Sequence, residues 1–267
     1  MSKIRVCVAG ATGWAASELC RGIIETDDLE IVSAISRKSA GCNLSEVLQL
    51  KTNTSIPVFA TIEEALTIPC DVLIDYTSPE IAKHHILTAL GKNINVVVGT
   101  SGLSDPDYKE IHKVAEEKGK AVLAVGNFAI SVVLLNKFAE MAAPYMPYWE
   151  IIDYASDKKP DSPSGSTLEL AHRLSKIGES IKTVPVDKTQ GIRETRGADI
   201  NGTQVHAVRL PGYVISLETI FGLEDEKLTI KHEAGNGAKP YVGGALLALR
   251  KVDTFTGLKR GLDSVMD

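Results

Sequence analysis

The chain is predicted to be an α/β protein: a doubly wound parallel sheet in its N-terminal half, then an α+β domain with a mixed or antiparallel sheet. Three observations predict this. Continuous apolar runs alternate with helical segments as far as about residue 127. A glycine loop follows the first of those runs directly. Beyond residue 181 the segments "TQVHAVRL", "YVISLETIFG" and "KLTIKHEA" alternate apolar with polar residues. Unbroken apolar runs suit parallel strands covered on both faces, and alternation suits antiparallel strands with one wet face.

Taken in order, strands are expected at 4–8, 31–35, 72–74, 94–98 and 121–125. Between them the helices are punctuated. Thr61 and Glu64 have the spacing of a capping box. Pro79 suits a helix start and Gly91 its close. A helix over 105–118 is closed by Gly119 in the same way. A long helix over about 130–146, a strand near 149–154, a helix after residues 157–167 and a last helix over 240–252 complete the plan. The pattern changes at about residue 127, so the expected domains run over 1–127 and 128–239. Residues 240–267 are expected to pack back on the first.

Composition excludes several classes. Of the 267 residues 44% are hydrophobic and mean hydropathy is +0.03, which suits a packed core and argues against disorder. A net charge of −5 argues against a nucleic-acid or anionic-membrane surface. No run approaches the ~18–20 apolar residues of a membrane span. The opening "MSKIRVCVAG" has too short an apolar run for a signal peptide. Cys7, Cys20, Cys42 and Cys70 fit no zinc spacing, so they are expected to be reduced, mostly buried thiols of a cytoplasmic protein with no metal.

The stretch "VCVAGATGWAASEL" places Gly10, Ala11, Thr12, Gly13, Trp14 and Ala15 between a strand and a helix. Glycines there permit a tight turn and let backbone amides approach a pyrophosphate at the helix start. A merely tight strand–helix turn is the alternative. Where the second strand ends, an NAD site calls for Asp or Glu to bind the ribose 2′-hydroxyl. This chain has Ser36, Arg37, Lys38 and Ser39. Two cations flanked by hydroxyls suit a 2′-phosphate, so NADPH is the expected cofactor, with NADH the alternative; as plain solvated charges they would say nothing. Two further strand ends, "DYTSPE" with Thr77 and "VVGTSGLSD" with Gly99, Thr100 and Ser101, should line the same crevice.

In "DKKPDSPSGST" lysines run through two prolines into a bare helix start, which is a way to hold an anion. Lys158 and Lys159 supply the positive charge, and Gly165, Ser166 and Thr167 offer amides and hydroxyls. On the strand before this loop Asp153 and Tyr154 alternate, so only one of them can face the site.

The segments "VAGATG", "LIDYTSPE", "VVVGTSGL", "VGNFAISVVLLNKF", "KPDSPSGST" and "RGADINGTQVHAVRLPG" together resemble the dihydrodipicolinate reductase family across nearly the whole chain. The resemblance implies a Rossmann domain, a C-terminal substrate domain with a mixed sheet, and a homotetramer assembled through those sheets. It implies an NAD(P)H-dependent reductase of the diaminopimelate–lysine pathway, acting on the small anionic 4-hydroxy-tetrahydrodipicolinate. Gly10 to Trp14 and Arg37 would then meet the dinucleotide. Gly99, Thr100 and Ser101 would lie on the nicotinamide side with Val125, Asn127 and Phe128. Lys159, Gly165 and Ser166 would hold the substrate.

The chain departs from the family pattern in three places. Ala155 and Ser156 stand where the family carries a His-His pair thought to supply the proton. Trp14 stands where Arg is usual, either to lie against the cofactor or to pack helix on sheet. Ser166 replaces a Thr. A cation beside another cation gives up its proton more readily, which makes Lys159, next to Lys158, the candidate catalytic acid. A relative acting on a different imine or unsaturated acid is one alternative, and a non-catalytic NADPH sensor another. His84, His85, His112 and His172 fall on expected helices and are assigned structural roles; His206 and His232 lie on strands of the second domain. A thioester-forming dehydrogenase is disfavoured, because no cysteine lies within 127–170.

Overall fold

The computed structural model describes residues 2–266. The chain forms two compact units: residues up to Ile130 together with those from Ala238 onward, and Ser131–Gly237.

The first unit begins β1 (Ile4–Ala9), α1 (Trp14–Ile24), β2 (Leu29–Ile35), α2 (Leu44–Val47), β3 (Val58–Phe59), α3 (Ile62–Ala65) and β4 (Val72–Asp75). It continues α4 (Pro79–Gly91), β5 (Asn95–Val98), α5 (Asp105–Glu117) and β6 (Ala121–Ala124). The strands pair in parallel, and their apolar runs are buried through β4 and β6 as continuous runs should be. Fully buried Leu73, Ile74, Ile86 and Leu90 each contribute about 1.5–3 kcal/mol of apolar burial.

Two helix-end signals differ from the sequence expectation. Thr61 caps α3 by accepting from the Glu64 amide, but the Glu64 carboxylate accepts from the Ala60 amide instead of returning to Thr61. The reciprocal box is at Ser104 and Asp107, at the start of α5. Gly91 is still helical; the left-handed residue that ends the α4 segment is Asn93, at φ +59°.

The second unit carries α6 (Ile130–Ala142), β7 (Tyr148–Ala155), α7 (Gly165–Ser175), β8 (Ala198–Ile200), β9 (Thr203–Arg209), β10 (Ile215–Leu223) and β11 (Glu226–Ala234). The first of these helices stops at Ala142 rather than near residue 146, because a residue before proline avoids the helical region and Pro144 follows Ala143. The sheet order is β11-β10-β7-β9-β8, mixed because β7 and β9 run parallel while the other pairs are antiparallel. One face packs Trp149, Ile151, Val205, Leu217 and Phe221 with Leu135, Ala139, Leu170 and Leu174 of the two helices. The other face, with Glu150, Ile152, Tyr154, His206 and Ile220, is half-exposed.

The chain then returns to the first unit as α8 (Lys239–Lys251) and β12 (Gly257–Arg260). A Cβ on Gly22 would lie 2.3 Å from Val242 Cγ1, so α1 and α8 are in close contact. Arg250 Nε donates to Asp28 at 2.6 Å beside it. The finished sheet reads β12-β6-β5-β4-β1-β2-β3, with β12 parallel to β6. Strand order therefore reverses between β1 and β4, the switch point where such sheets bind ligands at their carboxyl ends. No helix among the described residues is long and apolar enough to cross a membrane.

Candidate active site

The switch point is built from strand ends. Gly10 leaves β1 at φ +75°, and a Cβ there would lie 2.3 Å from the Tyr76 carbonyl oxygen, so only glycine fits the turn. Gly13 caps α1 without a side chain, leaving the first-turn amides of Trp14 and Ala15 with no carbonyl behind them. Thr12 and Ser36 hydroxyls meet at 2.8 Å across the ends of β1 and β2. Arg37 and Lys38 follow, exposed and, among the described residues, without an ion-pair partner.

Two cavities open here. One, of about 450 Å³, is lined by Gly10, Thr12, Gly13, Arg37, Lys38, Thr77 and His85 among others. The other, of about 280 Å³, is lined by Gly13, Trp14, Ala15, Thr77, Gly99, Thr100 and Ser101 among others. They share Gly13, Tyr76, Thr77 and Ser78. The structure thus gathers most of the residues expected at a dinucleotide. Ala11, Val125, Asn127 and Phe128 line neither cavity. Ala11 is fully buried, and Val125 gives its amide to the Val98 carbonyl. The Asn127 side chain accepts from the Ala129 amide. The Phe128 ring lies behind Gly99, where an added Cβ would be 3.0 Å from it and 2.6 Å from the Tyr76 ring.

Beneath the cavities is a polar node that sequence reasoning missed. The buried Asp75 carboxylate accepts from the Thr77 amide (3.0 Å), the Thr77 hydroxyl (2.7 Å), the Thr100 hydroxyl (2.6 Å) and His85 Nδ1 (2.7 Å). Burial alone would push this carboxyl up, but the bonds from His85, Thr100 and Thr77 hold it below the usual carboxylate range. An acid ending an otherwise apolar strand was the available signal.

Trp14 is 61% exposed, and its ring meets that of Tyr241 edge-on with centroids 5.8 Å apart. It faces the cavity and is not a helix-to-sheet packing residue.

The anion loop belongs to the second unit. Ser164 caps α7, yet makes no side-chain capping bond. Its hydroxyl instead donates to Asp153 at 2.8 Å, and its amide to the same carboxylate at 2.7 Å. The first-turn amides at Gly165 and Ser166 are therefore uncapped, a bare positive helix end. Thr167 corrects an expectation: it is fully buried with its hydroxyl 3.0 Å from Ser164 Oγ, so it supports the loop and does not offer that hydroxyl to a ligand. Lys159 is ion-paired with Asp161 and lowers that carboxyl's pKa. Of the alternating pair on β7, Asp153 faces the loop. Tyr154 faces the other side, donating to Glu218 at 3.0 Å and stacking on Tyr213.

At the two positions of the expected His pair, Ala155 is 1% exposed and the Ser156 hydroxyl donates to Asp157. The other histidines have partners elsewhere. His84 bonds Glu63, His206 bonds Glu150 and His232 bonds Ser131, while His112 accepts from the Leu258 amide. His172 is exposed on α7. Burial pushes the Cys7 and Cys20 thiols up to about 12 and Cys70 up to about 11, unfit for nucleophilic work. Among the described residues no group of three His, Cys, Asp or Glu side chains could hold a metal ion.

Residues 4–128 match the family model described as dihydrodipicolinate reductase, N-terminus, and residues 131–266 the one described as its C-terminus. The chain belongs to the dihydrodipicolinate reductase family. Over 266 residues it is 40% identical to the 4-hydroxy-tetrahydrodipicolinate reductase of Bacillus pumilus, covering 99% of this chain and 98% of that one. The corresponding protein of Halalkalibacterium halodurans is 36% identical, with 99% and 100% covered. Among solved structures, dipicolinate-bound dihydrodipicolinate reductase from Paenisporosarcina sp. TG-14 superposes with a TM-score of 0.89 at 30% identity, covering 99% of this chain and 100% of the other. An amine dehydrogenase from Mycobacterium smegmatis shares the fold alone, with a TM-score of 0.70 at 13% identity. As a member of this reductase family the chain is an oxidoreductase using a nicotinamide dinucleotide, and the cradle at Gly10 and Gly13 fits one.

Proposed function

We propose that the chain reduces 4-hydroxy-tetrahydrodipicolinate, a cyclic dicarboxylate, with NADPH as the preferred cofactor. The observation that carries the substrate is the uncapped start of α7 with Lys159 in the same loop, a cation and two free amides arranged for a carboxylate. The bound cofactor would supply hydride to an electrophilic ring carbon. Lys159 anchors one carboxylate, in exchange for Asp161, and is the proposed proton donor; the Gly165 and Ser166 amides hold the anion at the helix end. Arg37 and Lys38 support NADPH over NADH, being exposed cations that line the cavity with Ser36, beside the Thr12–Ser36 hydroxyl pair. The half-exposed sheet face bearing Ile152, Tyr154 and Ile220 supports assembly as a homotetramer.

Ala155 and Ser156 favour a second reading, a shift to another cyclic imine or unsaturated acid. Oxidation of NADPH with purified protein, freshly generated 4-hydroxy-tetrahydrodipicolinate and a panel of cyclic imino acids separates the two. Turnover of about 1–10³ s⁻¹ on the first compound is the expected result. Tight NADPH binding with turnover only on another imino acid would overturn the substrate.

A further inference from the structure

Asp153 and Arg209 lie on adjacent parallel strands, and together they grip the anion loop at two points. Asp153 is 1% exposed, and its Oδ2 accepts from Arg209 Nη2 at 2.7 Å. The same carboxylate takes the amide and hydroxyl of Ser164. The same guanidinium nitrogen donates to the Asp161 carbonyl at 2.8 Å. Its neighbour Nη1 donates to the Asp153 and Val208 carbonyls, at 3.2 and 3.0 Å, which ties the guanidinium to the strand backbone. Loop residues 161 and 164 are thereby fixed to β7 and β9 through one ion pair.

This grip has two consequences. Asp153 draws the Ser164 hydroxyl away from the capping position, so the amides behind it stay open. A lone carboxylate at that spot would itself satisfy the helix end and repel an incoming anion. Arg209 cancels its charge through a charge-assisted bond, leaving the Lys159–Asp161 pair and the helix start to set the local field. We infer that the Asp153–Arg209 pair is a positioning device for the substrate reaction, setting the separation between the Lys159 segment and the start of α7 without touching substrate. The inference rests on the placement of the substrate carboxylate proposed above. Misplacement by about 1 Å of groups that orient a substrate can cost on the order of 10²-fold.

The test compares Arg209→Met, Arg209→Lys, Asp153→Asn and Lys159→Ala by substrate KM, kcat, inhibition by dipicolinate and NADPH Kd. Arg209→Met should raise KM and the dipicolinate inhibition constant together by roughly 10–100-fold, with NADPH Kd unchanged. Arg209→Lys, which keeps the charge but not the planar fork, should recover part of that loss. Substrate KM unchanged in Arg209→Met but raised in Lys159→Ala would overturn the positioning role and leave the substrate site standing. KM unchanged in both would overturn the substrate site itself. Should Arg209→Met not fold, Arg209→Lys and Asp153→Asn decide: raised KM with NADPH Kd unchanged in both supports the role. Unchanged KM, or NADPH Kd weakened in parallel, overturns it.

Discussion

His85 Nδ1 lies 2.7 Å from Asp75 Oδ2, joining the middle of α4 to the end of β4 under the floor of the dinucleotide crevice. Neither group is exposed enough to be replaced by water: Asp75 is 0% and His85 5% exposed. With Thr77 and Thr100 on the same carboxylate, one acid holds two strand ends and a helix in register. Asp75→Asn puts a donor where donors already converge. It should cost about 3 kcal/mol of stability by urea unfolding, the usual scale for breaking a buried pair. NADPH affinity should fall as well, because Thr77 and Thr100 line the crevice.

The same carboxyl gives a pH dependence with a definite sign. Its hydrogen bonds hold it below the roughly 3.9 of an unfolded aspartate, against the upward push of burial. A depressed folded-state value contributes stability that is fully present above the unfolded value and is lost as pH falls through the folded one. Unfolding free energy of the native chain should therefore decline below about pH 4 more steeply than that of Asp75→Asn. Denaturant titrations of both proteins across that range test it; parallel curves would mean the carboxyl is not held low.

The two tryptophans are in opposite situations, Trp14 61% and Trp149 4% exposed. NADPH should quench the red-shifted, exposed component of the emission and leave the buried component unchanged. Trp14→Phe should abolish that quench while keeping most of the affinity, since Phe retains a flat apolar face but no indole emission. A quench that survives in Trp14→Phe would place the cofactor away from this residue.

Much of this site was legible because it is local. Continuous apolar runs marked five strands of the first sheet, and the glycine loop marked the crevice within a few residues. The elements that escaped are too short for periodicity: β3 has two residues and β12, reading GLKR, carries no apolar run. The polar nodes escaped for another reason. Asp75 and His85 are ten positions apart on different elements, and Asp153 and Arg209 are separated by 56. Alternation on β7 said that only Asp153 or Tyr154 could face the loop; which one depends on where α7 packs, and that is a tertiary fact. Thr167 looked like a ligand-facing hydroxyl because spacing along a helix start does not say which way a buried side chain turns.

Arg37 and Lys38 should read the 2′-phosphate. Charge-assisted hydrogen bonds contribute about 1.5–3 kcal/mol, so Arg37→Ala should weaken NADPH by roughly 10–100-fold. NADH, lacking the phosphate, should be nearly unaffected. Binding titrations with both dinucleotides measure this directly, and equal weakening of the two would assign Arg37 to another part of the cofactor.

Lys159→Ala should raise the KM for substrate by 10-fold or more, on the order of a lost charge-assisted contact, while NADPH Kd stays the same. The two proposed roles of this lysine then separate in the pH profile. If Lys159 only anchors a carboxylate, kcat at saturating substrate keeps its pH dependence in the variant. If it also delivers the proton, kcat falls by about 10²–10⁴-fold, the usual contribution of a positioned acid, and the alkaline limb of the profile disappears. Lys159→Arg keeps the anchor but holds its proton at every accessible pH. It should therefore restore KM in either case, and restore kcat only if anchoring is the whole role.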